Sequence, residues 1–256
     1  MLVAERYEKI VQLVNENGSM RVTELSELCG VTEETIRRDL DRLEAAGRLR
    51  RSHGGAVSIK DLALLRGAET PHAEREVAHA EEKRRIAEEA VGRIRPGERI
   101  LLDASTTAWY MARRLPDMHL TVLTNSIHVA TALAVKEKIQ VISTGGLLAQ
   151  RSLSYVGPLA ERSLEAYHVD KLFFSCKGVH VERGISESNE LQARVKQTML
   201  GIADEAILLA DSSKFGVQAF TQVATLSDVD GIITDAKLDP DILRALREKG
   251  IAVSLV

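Results

Sequence analysis

The sequence is short of cysteine, of long apolar runs and of net positive charge, and each shortage removes a class of function. Its 256 residues hold two cysteines, Cys29 and Cys176, far apart and outside any CxxC or Cys/His spacing. A disulfide framework and a zinc site are therefore not expected, no metal ligand is assigned, and a reducing compartment fits best. No apolar stretch approaches the roughly 20 residues that span a bilayer. The N-terminus MLVAERYEKI carries charge from its fifth residue and has no signal-peptide core. A cytoplasmic protein without membrane contact is the expectation. With a formal net charge of −3, any nucleic-acid contact has to come from a local concentration of charge. Composition is otherwise that of a globular protein, 45% hydrophobic and 28% charged, and the length is comfortable for two domains.

Positive charge is concentrated in one place. Up to Ile36 the chain has three basic residues against seven acids; from Arg37 to Val57 it has six arginines against three acids. In this stretch Ile36, Leu40 and Leu43 recur at i, i+4, i+7 and form an apolar stripe. Thr35, Arg38 and Arg42 fall well away from that stripe, within about 60° of each other at ~100° per residue. An apolar face for its own domain and a cationic face for a groove are what a DNA-recognition helix requires, and arginines suit bidentate reading of guanine edges. Upstream, Tyr7, Ile10, Val11 and Val14 form a helical face that Gly18 ends. A second helix, from about Val22 to Leu28, is expected to bury Leu25 and Leu28 and to stop at Gly30, and Thr32 is expected to cap the third. After Gly47, RLRR, SHGG and AVSI read as strand, turn and strand, with Gly54 and Gly55 able to take positive φ.

The pattern is a winged helix-turn-helix over residues 1–57. The expected contacts with double-stranded operator DNA are Thr35, Arg37, Arg38 and Arg42 on the helix, and Arg48, Arg50, Arg51 and His53 on the wing. Two have a structural alternative: Arg37 can pair with Asp41 at i+4, and His53 can simply shape the turn. Symmetric half-sites require a homo-oligomer, dimer or higher.

Between residues 58 and 75 the periodicity fades, and this stretch reads as a linker in which Leu62, Leu64 and Leu65 dock locally. A helix with Ala87, Ala90, Val91 and Ile94 on one face follows. Within a second domain, residues 76–256, short apolar runs stand at Ile100–Leu102, Leu120–Leu123, Ile139–Ile142, Lys171–Phe174, Ala206–Leu209, Gly231–Ile233 and Ile251–Val253. Amphipathic segments between most of them predict an α/β fold with an open, mostly parallel sheet; an antiparallel α+β domain is the alternative. Five runs end in small polar turns: DASTT, TNS, STGG, SCKG and DSSKFG. Ligands of open α/β sheets bind beyond the carboxyl ends of the strands. Ser105, Thr106 and Thr107 precede a helix whose free N–H groups favour an anion. Lys214 and Lys177 would add positive charge, and Asn189 and Lys177 are candidates for hydroxyl groups. The expected effector is a small phosphorylated or polyhydroxylated molecule, with no catalytic residue and no metal or redox cofactor.

Taken in order, TEETIRRDLDRLEAAGRLRRSHGGA, EEKRRIAEEA, LLDASTTAWYMA, LTVLTNSIHVA, STGGLL, GISESNELQARVKQTM and DSSKFG resemble the DeoR family of bacterial transcription regulators over essentially the whole chain. The resemblance implies a sensor domain similar in fold to ribose-5-phosphate isomerase and glucosamine-6-phosphate deaminase. It also implies a repressor of sugar or nucleoside catabolic genes that a phosphorylated sugar releases from DNA. The related isomerases carry acidic residues in the turn that reads SCKG here, where this chain has Cys176 and Lys177. Isomerisation needs a positioned carboxylate base, so keeping STTA and DSSK without that acidic turn implies a receptor. Glu187 and Glu190, flanking Asn189, leave open a sugar-phosphate isomerase-like enzyme with a DNA-binding appendix, and a ligand-free oligomerisation scaffold is a third reading. Trp109 and Tyr155 are candidate oligomer contacts, with core packing as the alternative.

Overall fold

A computed structural model describes residues 3–17, 19–45, 48–52, 54–57 and 69–256. The chain divides into two compact units, residues 1–68 and 69–256. Gly18, Gly47, His53, Leu62, Leu64 and Leu65, to which roles were assigned above, lie outside the described residues.

The first unit runs α1 (Val3–Asn17), β1 (Ser19–Arg21), α2 (Val22–Cys29), α3 (Glu33–Ala45), β2 (Arg50–Ser52) and β3 (Gly55–Val57). Its strands form an antiparallel sheet in the order β1-β3-β2. The expected stripe of α3, Ile36, Leu40 and Leu43, is buried with Ile10, Val14, Leu25 and Leu49. Gly30 closes α2 in the left-handed conformation, with φ 65°. The buried face of α2 is Val22, Leu25 and Cys29, so Leu28, expected inside, is 50% exposed. It lies about 100° round the helix from Cys29. In the wing, Gly54 has the expected positive φ of 84°. Gly55 does not; it is required because a Cβ there would lie 2.1 Å from the Met20 carbonyl oxygen of β1. Strand β1 is too short to show as a periodic run in the sequence.

The second unit opens with α4 (His72–Val77), so the end of the expected linker is helical. It continues through α5 (Ala80–Val91), β4 (Arg99–Leu102), α6 (Thr106–Arg114), β5 (Leu120–Thr124), α7 (Ile127–Leu133), β6 (Ile139–Ser143), β7 (Leu147–Ala149), β8 (Ser154–Val156) and α8 (Pro158–Glu165). Then come β9 (Val169–Phe174), β10 (Gly178–His180), β11 (Gly184–Glu187), α9 (Glu190–Gly201), β12 (Ala203–Leu209), β13 (Thr221–Ala224), β14 (Gly231–Thr234), α10 (Pro240–Glu248) and β15 (Ala252–Leu255).

All seven apolar runs became strands of one sheet, ordered β15-β14-β12-β9-β4-β5-β6, with every ladder parallel. Alternate side chains leave a strand on opposite faces. Leu101, Leu172, Phe174 and Leu208 accordingly enter one apolar cluster, and Ile100, Leu102, Phe173 and Ile207 another. From β4 the chain builds outward to β5 and β6, then returns to β4's other side with β9 and builds outward through β12. The order reverses between β4 and β9, the place where such sheets accept ligands. The antiparallel β10-β11-β13 sheet and the β7-β8 hairpin are absent from the sequence reading, because they are short and lack an apolar run.

Candidate DNA interface and effector site

Local chemistry sets the start of α3. The Thr32 hydroxyl accepts from the Thr35 N–H at 3.3 Å, as an N-cap should, and contacts the Thr35 hydroxyl at 2.9 Å. Arg38, with 72% of its side chain exposed, lies 3.3 Å from Glu34. Arg37 pairs with Glu33 at 2.6 Å and Glu34 at 3.7 Å. Asp41, the partner considered for it, is instead held by Arg51 at 2.5 Å. An acid one turn earlier reaches Arg37 as readily as one a turn later, and the wing claims the latter. Arg42 donates to the Tyr7 hydroxyl at 3.2 Å. Arg48 makes a two-pronged pair with Glu8 at 2.9 and 2.7 Å. Arg50 lies in β2.

One structural pair was missed. The Arg6 guanidinium grips Asp39 of α3 at 2.6 and 3.3 Å, and Asp39 is 2% exposed. Only Asp39's burial was signalled: it stands beside Leu40 and one turn after Ile36, within the apolar stripe, and nothing in the spacing points to Arg6.

In the second unit, the polar turns stand side by side at the carboxyl ends of β12, β9, β4, β5 and β6. At the reversal point, Asp103 after β4 accepts from Ser105 N at 3.1 Å and from Ser175 N, after β9, at 3.0 Å. The DASTT and SCKG turns are thereby tied together. Ser105 caps α6 by accepting from Ala108 N at 3.0 Å, and Thr106 and Thr107 are buried in its first turn. Lys214 donates to the Cys176 carbonyl at 2.7 Å, which brings the DSSK turn onto SCKG. Asn189 caps α9 through Gln192 N at 3.0 Å.

Two further cations join Lys177 and Lys214. Lys83 of α5 is buried, its ammonium donating to the Arg75 and Ala78 carbonyls at 2.5 and 2.6 Å. Burial, then the field of Lys214, lowers its pKa to about 8, with Arg75 adding to the effect and Asp211 opposing it. Lys177 is also lowered, first by burial and next by Lys214, with Arg75 contributing. Arg75, Lys83, Lys177 and Lys214 thus lie within one another's fields, Lys83 buried and the other three half-buried, and one Arg75 guanidinium nitrogen is buried with no hydrogen-bond partner among the described residues. Lys83 was legible in principle, since it lies at i−3 and i−4 to Ile86 and Ala87 on an apolar face.

Beside these cations is a buried ion triad. Lys196 reaches Glu187 at 2.6 Å, Asp103 at 3.1 Å and the Ser175 carbonyl at 2.5 Å. Burial opposes its charge, yet Glu187 and Asp103 hold its pKa above the ordinary lysine value. Glu187, considered above as a base, is therefore engaged, and Glu190 pairs with Arg194 at 3.1 Å. Cys176 is buried, which pushes its thiol up to about 12 and leaves it a poor nucleophile. Trp109 and Tyr155 pack against the second unit's apolar clusters.

Residues 6–61 match the DeoR-like helix-turn-helix domain, and residues 78–236 match the DeoR C-terminal sensor domain. The chain belongs to the DeoR family. Among its relatives is the HTH-type transcriptional regulator YulB of Bacillus subtilis, 55% identical over 100% of this chain and 98% of its own. The L-fucose operon activator of Haemophilus influenzae is 41% identical over 95% of this chain and 96% of its own. The putative aga operon transcriptional repressor of Escherichia coli O157:H7 is 38% identical over 99% and 94%. These relatives are named as regulators, and this DeoR-family chain is a DNA-binding transcriptional regulator, not an enzyme. Among solved structures, ribose 5-phosphate isomerase A of Methanocaldococcus jannaschii aligns with a TM-score of 0.40 at 19% identity, over 54% of this chain and 55% of that one. The eIF2B delta subunit of Chaetomium thermophilum aligns at 0.45 and 13%, over 60% and 55%. The chain spans about half the length of these structures, and likenesses this distant say nothing about function.

Proposed function

We propose that this DeoR-family regulator is a repressor of a carbohydrate catabolic operon and leaves its operator when a phosphorylated sugar binds the second unit. The observation that carries this reading is the meeting of Arg75, Lys83, Lys177 and Lys214 at the carboxyl end of the sheet. Several cations held partly out of water favour an anion strongly, because the low dielectric magnifies each attraction. The phosphate is assigned to these cations together with Ser105, Thr106, Thr107 and the first-turn N–H groups of α6. Lys177 and Asn189 are assigned to sugar hydroxyls. The relatives named for fucose and aga operons support the carbohydrate assignment.

On the DNA side, Arg38 and Arg42 are assigned to the groove with Thr35, and Arg37, Arg48, Arg50, Arg51 and His53 to flanking contacts. Residues 1–57 are assigned to the reading head and 76–256 to the sensor, which residues 69–75 join as part of the second unit, in a cytoplasmic homo-oligomer, dimer or higher, that spans two half-sites. Ligand control requires different affinity for the DNA-competent and DNA-released arrangements.

Thermal shift against a panel of pentose and hexose phosphates, followed by operator release, tests the reading. A stabilising ligand that releases DNA in the native protein and does neither in Lys214→Ala supports it. A ligand consumed over time overturns the receptor reading, and a panel without effect means a scaffold. The Haemophilus relative is named an activator, so a promoter reporter with and without the chain decides the sign of regulation.

A further inference from the structure

Close to the cations is a polar corner that the proposed phosphate site leaves unused. Gln192 of α9, Ser152 and Ser154 are all buried. The Gln192 amide donates to the Ser152 and Ser154 hydroxyls, each at 3.0 Å, and those hydroxyls lie 2.9 Å apart. The same amide nitrogen faces the Glu69 carboxylate at 3.2 and 3.5 Å. Glu69 opens the second unit, immediately after the segment leading from the DNA-binding unit. The corner adjoins the cations: Arg75 donates to the Thr70 carbonyl beside Glu69 at 3.0 Å, and the charges of Glu69, Lys83 and Lys177 all act on it.

We propose that Gln192, Ser152 and Ser154 form the subsite for the hydroxyl end of the sugar phosphate, and that Glu69 occupies it as the protein's own stand-in until ligand displaces it. The proposal rests on the reading of the cations as a phosphate site. Three buried side chains that together donate and accept are the chemistry that recognises a polyol. Glu69 satisfies them poorly. The Ser152 hydroxyl also donates to its carboxylate, but one amide with two N–H groups is shared among three residues, and its contacts to that carboxylate are the longest it makes. Burial also works against the ionised carboxylate and raises its pKa. A neutral sugar hydroxyl would meet the same donors without desolvating a charge.

Displacement would be felt by the chain next to it. Residues 69–77 lie on the second unit as a strap. The Glu69 carbonyl accepts from Arg151 at 2.9 Å, His72 N donates to the Arg151 carbonyl at 2.7 Å, and Arg75 donates to the Thr70 carbonyl at 3.0 Å. His72 stacks on His128 at 3.7 Å and meets Trp109 edge-on at 5.9 Å. The contents of the polar corner are thus linked to a segment continuous with the DNA-binding unit.

The test uses the full chain and its single tryptophan, Trp109, as a reporter of the strap. In Glu69→Ala, exchange of the 72–78 amides is expected to rise about ten-fold, the equivalent of one net hydrogen bond, and Trp109 is expected to quench more readily. Arg151→Ala should reproduce both effects. From the panel, the sugar phosphate that binds is expected to bind Glu69→Ala several-fold tighter and Gln192→Ala more weakly, with the affinity for inorganic phosphate the same in both. Unchanged exchange and quenching in Glu69→Ala overturn the stand-in role. Weaker sugar-phosphate binding in Glu69→Ala overturns it as well, by making Glu69 a ligand contact. If nothing in the panel binds, the phosphate reading fails, and with it the subsite; the exchange result then still decides whether Glu69 holds the strap.

Discussion

Arg38 contributes little to the fold and is well placed to contribute to DNA binding. Its one close partner among the described residues, Glu34, is 61% exposed, and such surface pairs add little stability. Arg38→Ala is expected to leave the melting temperature unchanged and weaken operator binding by about 1–3 kcal/mol if the arginine forks onto a guanine, measured by titration at fixed salt. Wild-type affinity would remove Arg38 from the interface. Lys83 is the opposite case, a buried lysine with a pKa of about 8 against an ordinary 10.5. Between those values the unfolded chain holds more protons, so stability of the ligand-free protein should rise with pH across that window. Effector affinity should fall as pH rises through about 8 and Lys83 loses its charge. Binding just above pH 8 should take up a proton, seen as a dependence of calorimetric heat on buffer ionisation; Lys83→Met should reduce it, leaving only what Lys177, also lowered, contributes.

At the scale of elements, α3 depends on a charge pair as well as on its apolar stripe. Asp39→Ala would strand the Arg6 guanidinium at the α1–α3 contact. It should destabilise the first unit by on the order of 2–3 kcal/mol, less than for a fully buried pair because Arg6 keeps some solvent contact. Chemical denaturation of residues 1–68 within the intact chain, followed by a probe placed in α1, would show this. That pair lies 33 residues apart in sequence, out of reach of any periodicity. The stripe Ile36, Leu40 and Leu43 was legible because helical spacing is local. The seven strands were legible because buried parallel strands are continuous apolar runs. Leu28 was misplaced because two adjacent residues, Leu28 and Cys29, competed for one face. Lys83 and Lys196 stand in apolar stripes where their charge argues against burial, and only partners from other elements explain them.

At the scale of the molecule, the apolar core of the first unit shares no residue with the two clusters of the second among the described residues. A ligand that binds native protein shifts only the equilibrium it is coupled to. Calorimetry of the full chain should therefore show the effector raising the melting of residues 69–256 by several degrees, with the first unit's transition moving much less. Equal shifts of both would mean that the two units unfold as one.

The sequence by itself determined the three helices of the first unit, the seven strands of the large sheet and their order along the chain, and the family, because helical and strand periodicities and contiguous motifs are properties of neighbours along the chain. Tertiary structure decided which cations gather at the proposed effector site. Arg75, Lys83, Lys177 and Lys214 are scattered over 140 positions; the neighbouring parallel strands β9 and β12 bring Lys177 and Lys214 together at their carboxyl ends, and the helices α4 and α5 carry Arg75 and Lys83 to them. The same packing committed Glu187 to Lys196, set Glu69 against Gln192, and engaged Arg48 and Arg51 with Glu8 and Asp41. A charge acquires its role from the partners and dielectric around it, and folding supplies both.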